Sequence, residues 1–321
     1  VTDSTESAGA SGSGFRVAGS TRLATAGVMA TALAMGLMPV FAKELTTSGM
    51  SAVAVTFYRA LVGLIVASFV MRVDLAKRGA YLWSLAGGFG LGLGWSSYVY
   101  ALDVVPVSTA SVLYMSYPVF AIGFAWAMFS ERPHRRAVLG AALVLSASVL
   151  ALGPEFGGDQ TSRLLLMLLA PVSFGFAVAV IVGKVSTLKP IERVGAFSVG
   201  SMTALAPIMA TQSASQALPS DLREVALLAG MGLLCGVGPQ WLYTHCAPRV
   251  GAARAAIAGA MELPTMFVMS AVVFDEMLTV PQAVAGLIVV AAILAVPSRP
   301  GPATLLVRRR RRLIPGRFYK T

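Results

Sequence analysis

Of the 321 residues, 56% are hydrophobic and 12% charged, with a mean hydropathy of +0.76 and a net charge of +11. A soluble domain carries about 25% charged residues, so the composition excludes an ordinary water-soluble globule and points to lipid as the solvent. The positive excess does not indicate a nucleic-acid binder: much of it is one run, Arg308 to Arg312, just past the last apolar segment, where basic residues anchor at anionic lipid.

Residues 1–20 are rich in Ser, Gly, Thr and Ala and read as a disordered tail. A signal peptide would begin basic and run straight into an apolar stretch. Ten apolar segments follow, at 23–42, 50–71, 80–102, 107–129, 137–153, 164–183, 193–211, 224–246, 250–274 and 281–297. Each is near the roughly 20 residues that a transmembrane helix needs. Short joins marked by Pro106 and Pro248 make neighbours antiparallel. The fold class is therefore all-α: a polytopic membrane bundle of ten transmembrane helices. A basic tail, 298–321, ends the chain.

Charge asymmetry orients the segments. With the N-terminus inside, only Lys43, Arg163 and Arg223 among the loop cations fall outside, and Arg59 lies within a span. Glu44, Asp103, Glu155, Asp159, Asp221, Glu224, Asp275 and Glu276 fall outside. This obeys the positive-inside rule and puts both termini in the cytoplasm, in a multi-pass protein of the cell membrane.

The chain also repeats itself weakly. From Tyr100 and from Tyr243, similar stretches run into a further apolar helix. Val107 matches Val250, Pro118 matches Pro264 and Glu131 matches Glu276, with small gaps. Each half holds five spans, and an odd number makes the second half enter from the opposite side. The expected domains are two inverted five-helix repeats, 23–153 and 164–297, an arrangement typical of alternating-access transporters.

Two charges sit deep in spans: Arg59 and Glu262, roughly 9 and 12 residues from a span start. Each costs at least about 2.5–3.5 kcal/mol in lipid, so it faces a cavity or a partner. The readings left open are a structural ion pair, snorkelling by Arg59, and a substrate or proton site. Trp95 and Tyr98 share a helix face at i, i+3, as do Tyr114 and Tyr117. Trp241 and His245 share another at i, i+4, beside Gln240 and Thr244. An offset of 143 residues sets Ser97 opposite Gln240 and Tyr98 opposite Trp241. The expected substrate-binding set is thus Arg59, Glu262, Trp95, Tyr98, Tyr114, Tyr117, Gln240 and Trp241. An interfacial aromatic belt is the competing reading for the tryptophans and Tyr98.

Pro39, Pro118, Pro171, Pro207, Pro239 and Pro264 fall inside spans, where each frees a backbone carbonyl and can bend its helix. Gly88-x-x-x-Gly92 and Gly90-x-x-x-Gly94 are close-packing patterns. Cys235 and Cys246, roughly 16 Å apart along one helix, are too distant for a disulfide. There is no HExxH, GxSxG, P-loop or CxxC pattern, and the two histidines lack metal-ligand spacing. Neither a catalytic residue, a metal nor a cofactor is expected. The expected partners are a small-molecule substrate, protons as coupling ion and the lipid bilayer, not nucleic acid; a homodimer is left open.

Four local patterns stand out: Phe57-Tyr58-Arg59-Ala60-Leu61, Pro118 with an aromatic run to Glu131-Arg132, Gly251-Ala252-Ala253-Arg254, and Glu262-Leu263-Pro264 with Glu276 beyond. In these the chain resembles the EamA-domain proteins of the drug/metabolite transporter superfamily. Leu263 separates the glutamate and proline that are usually adjacent. The resemblance implies ten helices in two inverted repeats and the export of small metabolites or amino acids. A polytopic membrane enzyme or a regulatory membrane protein is the alternative.

Overall fold

The computed structural model describes residues 8–130, 133–152, 159–277 and 279–295, and among them every regular element is helical. In chain order these are α1 (Ala8–Met35), α2 (Met38–Thr47), α3 (Ala52–Ser68), a 3-10 turn (Leu75–Lys77), α4 (Arg78–Ala101), α5 (Val107–Tyr114), α6 (Tyr117–Phe129), α7 (Arg135–Leu152), α8 (Asp159–Met167) and α9 (Leu169–Gly183). Then come α10 (Pro190–Met209), α11 (Ala214–Ala217), α12 (Leu222–Gly230), a π-helical stretch (Met231–Val237), α13 (Gly238–Val250), α14 (Ala252–Gly259), α15 (Glu262–Phe274) and α16 (Val280–Ala295). Helix α1 starts inside the segment whose composition reads as a tail.

By length and composition, five stretches are able to cross a membrane: Thr21–Thr47, Val107–Phe129, Ser162–Gly183, Leu222–Val250 and Ala252–Phe274. Ala52–Ser68 and Val280–Ala292 are shorter apolar helices. The protein is a multi-pass helical membrane protein. The long stretches are interrupted rather than continuous, and proline explains where. Pro39, Pro118, Pro171 and Pro264 each lie in the first turn of a helix that restarts after a break, and Pro239 lies in the first turn of α13, which follows the π-helical stretch without a gap. A first-turn proline loses no intrahelical bond, because its missing N–H would be unpaired there anyway. Pro207 instead sits in the last turn of α10.

The two broken helices α5–α6 and α14–α15 follow one pattern. Each has 8 helical residues, a two-residue break, 13 helical residues and a left-handed cap. The caps, Ser130 (φ 52°) and Asp275 (φ 51°), are the only non-glycine positions with positive φ among the described residues. A constant shift of 145 residues carries Val107 onto Ala252, Tyr117 onto Glu262 and Phe129 onto Phe274. This corrects the sequence alignment: Val107 corresponds to Ala252 rather than Val250, and Pro118 to Leu263 rather than Pro264. Apolar identities are too common in spans to fix a register, whereas caps and breaks occur once per repeat. Glu131 lies outside the described residues.

Packing respects the same exchange of halves. Helix α5 packs on α15 and α14 on α6, so each broken helix lays its first half on the second half of the other. Likewise α1 packs on α13 and α9 on α4, while α7 meets α16.

The glycine run of α4 serves two neighbours at once. A Cβ on Gly92 would lie 2.8 Å from the Ser201 carbonyl oxygen, and the Ser201 hydroxyl donates to the Gly88 carbonyl at 2.8 Å, so this face belongs to α10. A Cβ on Gly94 would lie 3.1 Å from the Ala170 Cα, and Gly90 faces Ser173, so the staggered face belongs to α9. Without a side chain in the way, backbones approach closely enough for dispersion to hold them in lipid.

Candidate functional site

Both broken helices interrupt where the halves meet, and aromatic side chains fill the space between them. Tyr114 ends α5, Tyr117 begins α6 and Glu262 begins α15. Helix α4 adds Trp95 and Tyr98, α9 adds Phe174 and α13 adds Tyr243. All seven are buried. Their rings form a continuous wall. Trp95 lies 5.5 Å from Tyr98 and 5.2 Å from Tyr114, Tyr114 lies 5.4 Å from Tyr117, Tyr117 lies 4.7 Å from Phe174, and Phe174 lies 6.2 Å from Tyr243, all between centroids. These tilted and edge-on arrangements suit the ring quadrupole.

The wall has charge at both ends. At one, the Arg59 guanidinium carbon of α3 stands 5.1 Å from the Trp95 ring centroid, a cation–π contact. At the other, Glu262 shares a small cavity with Thr31, Tyr117, Tyr243 and Gly259. Arg59 lines a second small cavity with Gly63, Ser198, Ser201, Gly236 and Gln240. Gly236 belongs to the π-helical stretch, whose wider turn accompanies the approach of Arg59. Among the described residues no ion pair within 4.0 Å includes Arg59 or Glu262, although each feels the other's charge. The structural ion pair left open by the sequence is therefore not formed.

Hydrogen bonding divides the cluster into two classes. Tyr98 is satisfied by the Ser111 hydroxyl at 3.3 Å, and Tyr117 donates to the Ala256 carbonyl at 2.7 Å. Gly259 is required there, since a Cβ would collide with the Tyr117 hydroxyl. Four buried atoms have no protein partner: Arg59 Nε, Tyr114 Oη, Tyr243 Oη and Glu262 Oε1. Leaving one such atom unpaired costs about 1–3 kcal/mol, and more for a charge.

Of the residues expected from sequence, Arg59, Trp95, Tyr98, Tyr114, Tyr117 and Glu262 come together, and Gln240 joins Arg59 at the second cavity. Trp241 does not join them. It is 45% exposed and stacks on His245 at 5.8 Å, on a different face of α13. Its place is taken by Tyr243, which the 145-residue shift sets opposite Tyr98; the offset of 143 chosen from sequence turned α13 by two residues. Phe174 and Thr31 carry no sequence signal beyond an apolar helix.

A search of curated proteins finds no match. Twenty-six chains of solved structure match. One is a crystal structure with TM-score 0.65 and 18% identity, covering 90% of this chain and 99% of its own, and the likeness establishes a shared fold. The model of the EamA-like transporter family matches residues 23–153 and again 161–296, one copy on each half. With both halves matched, and with the paired broken helices just described, the chain belongs to the EamA-like transporter family.

Proposed function

We propose that this protein is a secondary transporter that exports a small metabolite or amino acid across the cell membrane by alternating access. In this reading the ten apolar segments are ten spans, the two halves have opposite topology, and both termini face the cytoplasm. The chamber between the broken helices is the substrate site. Arg59 and Glu262 offer opposite charges to the cargo, and Trp95, Tyr98, Tyr114 and Tyr117 offer ring faces. Gln240 supplies a polar contact beside Arg59.

The observation that carries this reading is the convergence of four buried, unpartnered polar atoms on one aromatic chamber at the meeting of the halves. In lipid, a polar atom without a partner is costly and marks a transport pathway. Helix breaks at the same place leave backbone groups able to meet cargo. Alternation follows from the paired halves: rocking one against the other uncovers the chamber first on one side, then on the other. We assign proton coupling to Glu262, which lacks a hydrogen-bonding partner at Oε1 and can therefore exchange a proton for cargo. Its phenolic neighbours can reorganise around either state.

The test is solute flux in proteoliposomes, with amino acids and cationic dyes supplied under an imposed pH gradient. Wild-type protein should move at least one solute class in a gradient-dependent manner. Glu262→Gln should insert normally and lose gradient-driven flux. Unchanged flux in that variant sinks the proton role, and no flux of any solute by wild-type protein sinks the transport reading.

A further inference from the structure

Helix α5 begins with a defect that the other half of the molecule repairs. Its N-cap residue is Pro106, which has no side-chain acceptor for the amides of the first turn. Val107 and Ser108 are both buried, at 0% and 5% exposure, so water does not satisfy those amides either. The acceptor is Glu276, from just beyond α15. One carboxylate oxygen takes the Val107 N–H at 3.1 Å. The other takes the Ser108 N–H at 3.2 Å and the Ser108 hydroxyl at 3.0 Å.

Three features hold the carboxylate in that position. The left-handed Asp275 turns the chain back at the end of α15. The Ser270 hydroxyl of α15 donates to the same oxygen that Ser108 uses. Lys43 of α2 comes within 3.5 Å of the first oxygen and rests 4.4 Å from the Phe274 ring centroid. Ser270, Phe274 and Glu276 belong to the second half; Lys43, Val107 and Ser108 belong to the first. The positive end of α5 and a cation are thus neutralised by one carboxylate from across the boundary.

We propose that Glu276 is a gate residue: its capping of α5 holds this end of the pathway shut, and opening the end requires the cap to release. This inference rests on the transport reading above. The physical reason is that separating the halves at this end strips two buried amides, a hydroxyl and an ammonium of their acceptor in a single step. The closed state is favoured until water or a rearranged side chain takes over those donors. Weakening the cap therefore shifts the population toward the open state without touching the chamber.

The native thiol of Cys235 provides the readout, since it is buried and sits one residue before Gly236, against which the Arg59 side chain packs. In full-length protein with Cys246→Ser, reconstituted in vesicles, a membrane-impermeant maleimide is added from the side bearing Glu276. Glu276→Gln should label Cys235 roughly tenfold faster than the Glu276 parent, the ratio expected for weakening a charge-assisted hydrogen-bond set. Ser108→Ala keeps the carboxylate and removes one donor, so it should accelerate labelling roughly threefold and serves if Glu276→Gln does not fold. Unchanged labelling in a folded variant of either kind overturns the gate and leaves a static cap. Labelling does not depend on knowing the cargo: faster labelling in a protein that moves no solute upholds the gate and overturns the transport reading alone.

Discussion

Tyr117 and Glu262 occupy the same position in the two halves, each as the first residue of the helix that restarts after a break, yet only Tyr117 has a hydrogen-bond partner. The tyrosine pins the opposite broken helix at Ala256. The glutamate lies 2% exposed with Oε1 unpaired. A two-fold pattern thus carries a structural bond on one side and a free chemical group on the other.

That asymmetry separates two substitutions. Tyr117→Phe removes a buried hydrogen bond from the Ala256 carbonyl, which keeps its bond from the Ala260 amide, and should cost about 0.5–1.5 kcal/mol of stability. Glu262→Gln replaces a carboxyl group without a partner at Oε1 by an amide of the same shape and should leave stability unchanged or slightly raised while flux is lost. Thermal unfolding of the two purified variants in detergent, beside their flux, checks both; a melting temperature lowered more by Glu262→Gln than by Tyr117→Phe would contradict the assignment.

Gly92 and Gly123 should respond in opposite ways to alanine. At Gly92 the new Cβ would stand 2.8 Å from the Ser201 backbone oxygen, which cannot swing aside, so α4 and α10 must part. The expected loss is about 1–3 kcal/mol. At Gly123 nothing lies within 4 Å, so alanine adds helix propensity and should be neutral or stabilising by up to about 1 kcal/mol. Melting temperatures of the two variants decide the matter.

The cap at Glu276 predicts an acid dependence. Burial pushes its carboxyl upward, but the hydrogen bonds from Ser270, Ser108 and Val107 outweigh that and hold it below the ordinary glutamate range. A depressed folded value means that the cap's contribution is fully present above the unfolded value, about 4.3. It is lost as pH falls through the folded value. The melting-temperature gap between wild type and Glu276→Gln should therefore hold steady from neutral pH down to about 5 and shrink below about 4. A gap constant down to strong acid would show that the carboxylate charge is not what caps α5.

Trp95 and Trp241 test which aromatic faces inward. Trp95→Leu removes the ring that meets Arg59 and should reduce flux roughly tenfold or more, an effect of at least one lost cation–π contact in a desolvated site. Trp241→Leu alters an exposed stack and should change flux by less than about twofold. Concentration series on both variants would reveal the inward face; equal losses would return Trp241 to the pathway.

Hydropathy, with so few charges, identified a helical membrane protein by itself, because only lipid accommodates so apolar a chain. Pro39, Pro118, Pro171 and Pro264 stand just past the breaks in the long stretches, where a missing N–H costs nothing, whereas Pro207 and Pro239 mark no break. The repeat was legible in outline, as were Arg59, Glu262 and the aromatic pairs at i, i+3, because deep charges and clustered rings are rare enough to stand out. Register and facing required the tertiary structure. A span is apolar all round, so its sequence carries no stripe that tells the inner face from the lipid face. A shift of two residues, from 143 to 145, turned α13 far enough to exchange Trp241 for Tyr243. Only close contact fixed that turn: Gly27 of α1 leaves room for Cys246 of α13, and the Thr244 carbonyl accepts from Arg193 of α10. The tie from Glu276 to Val107, joining residues far apart in sequence, was likewise decided by how the two halves pack.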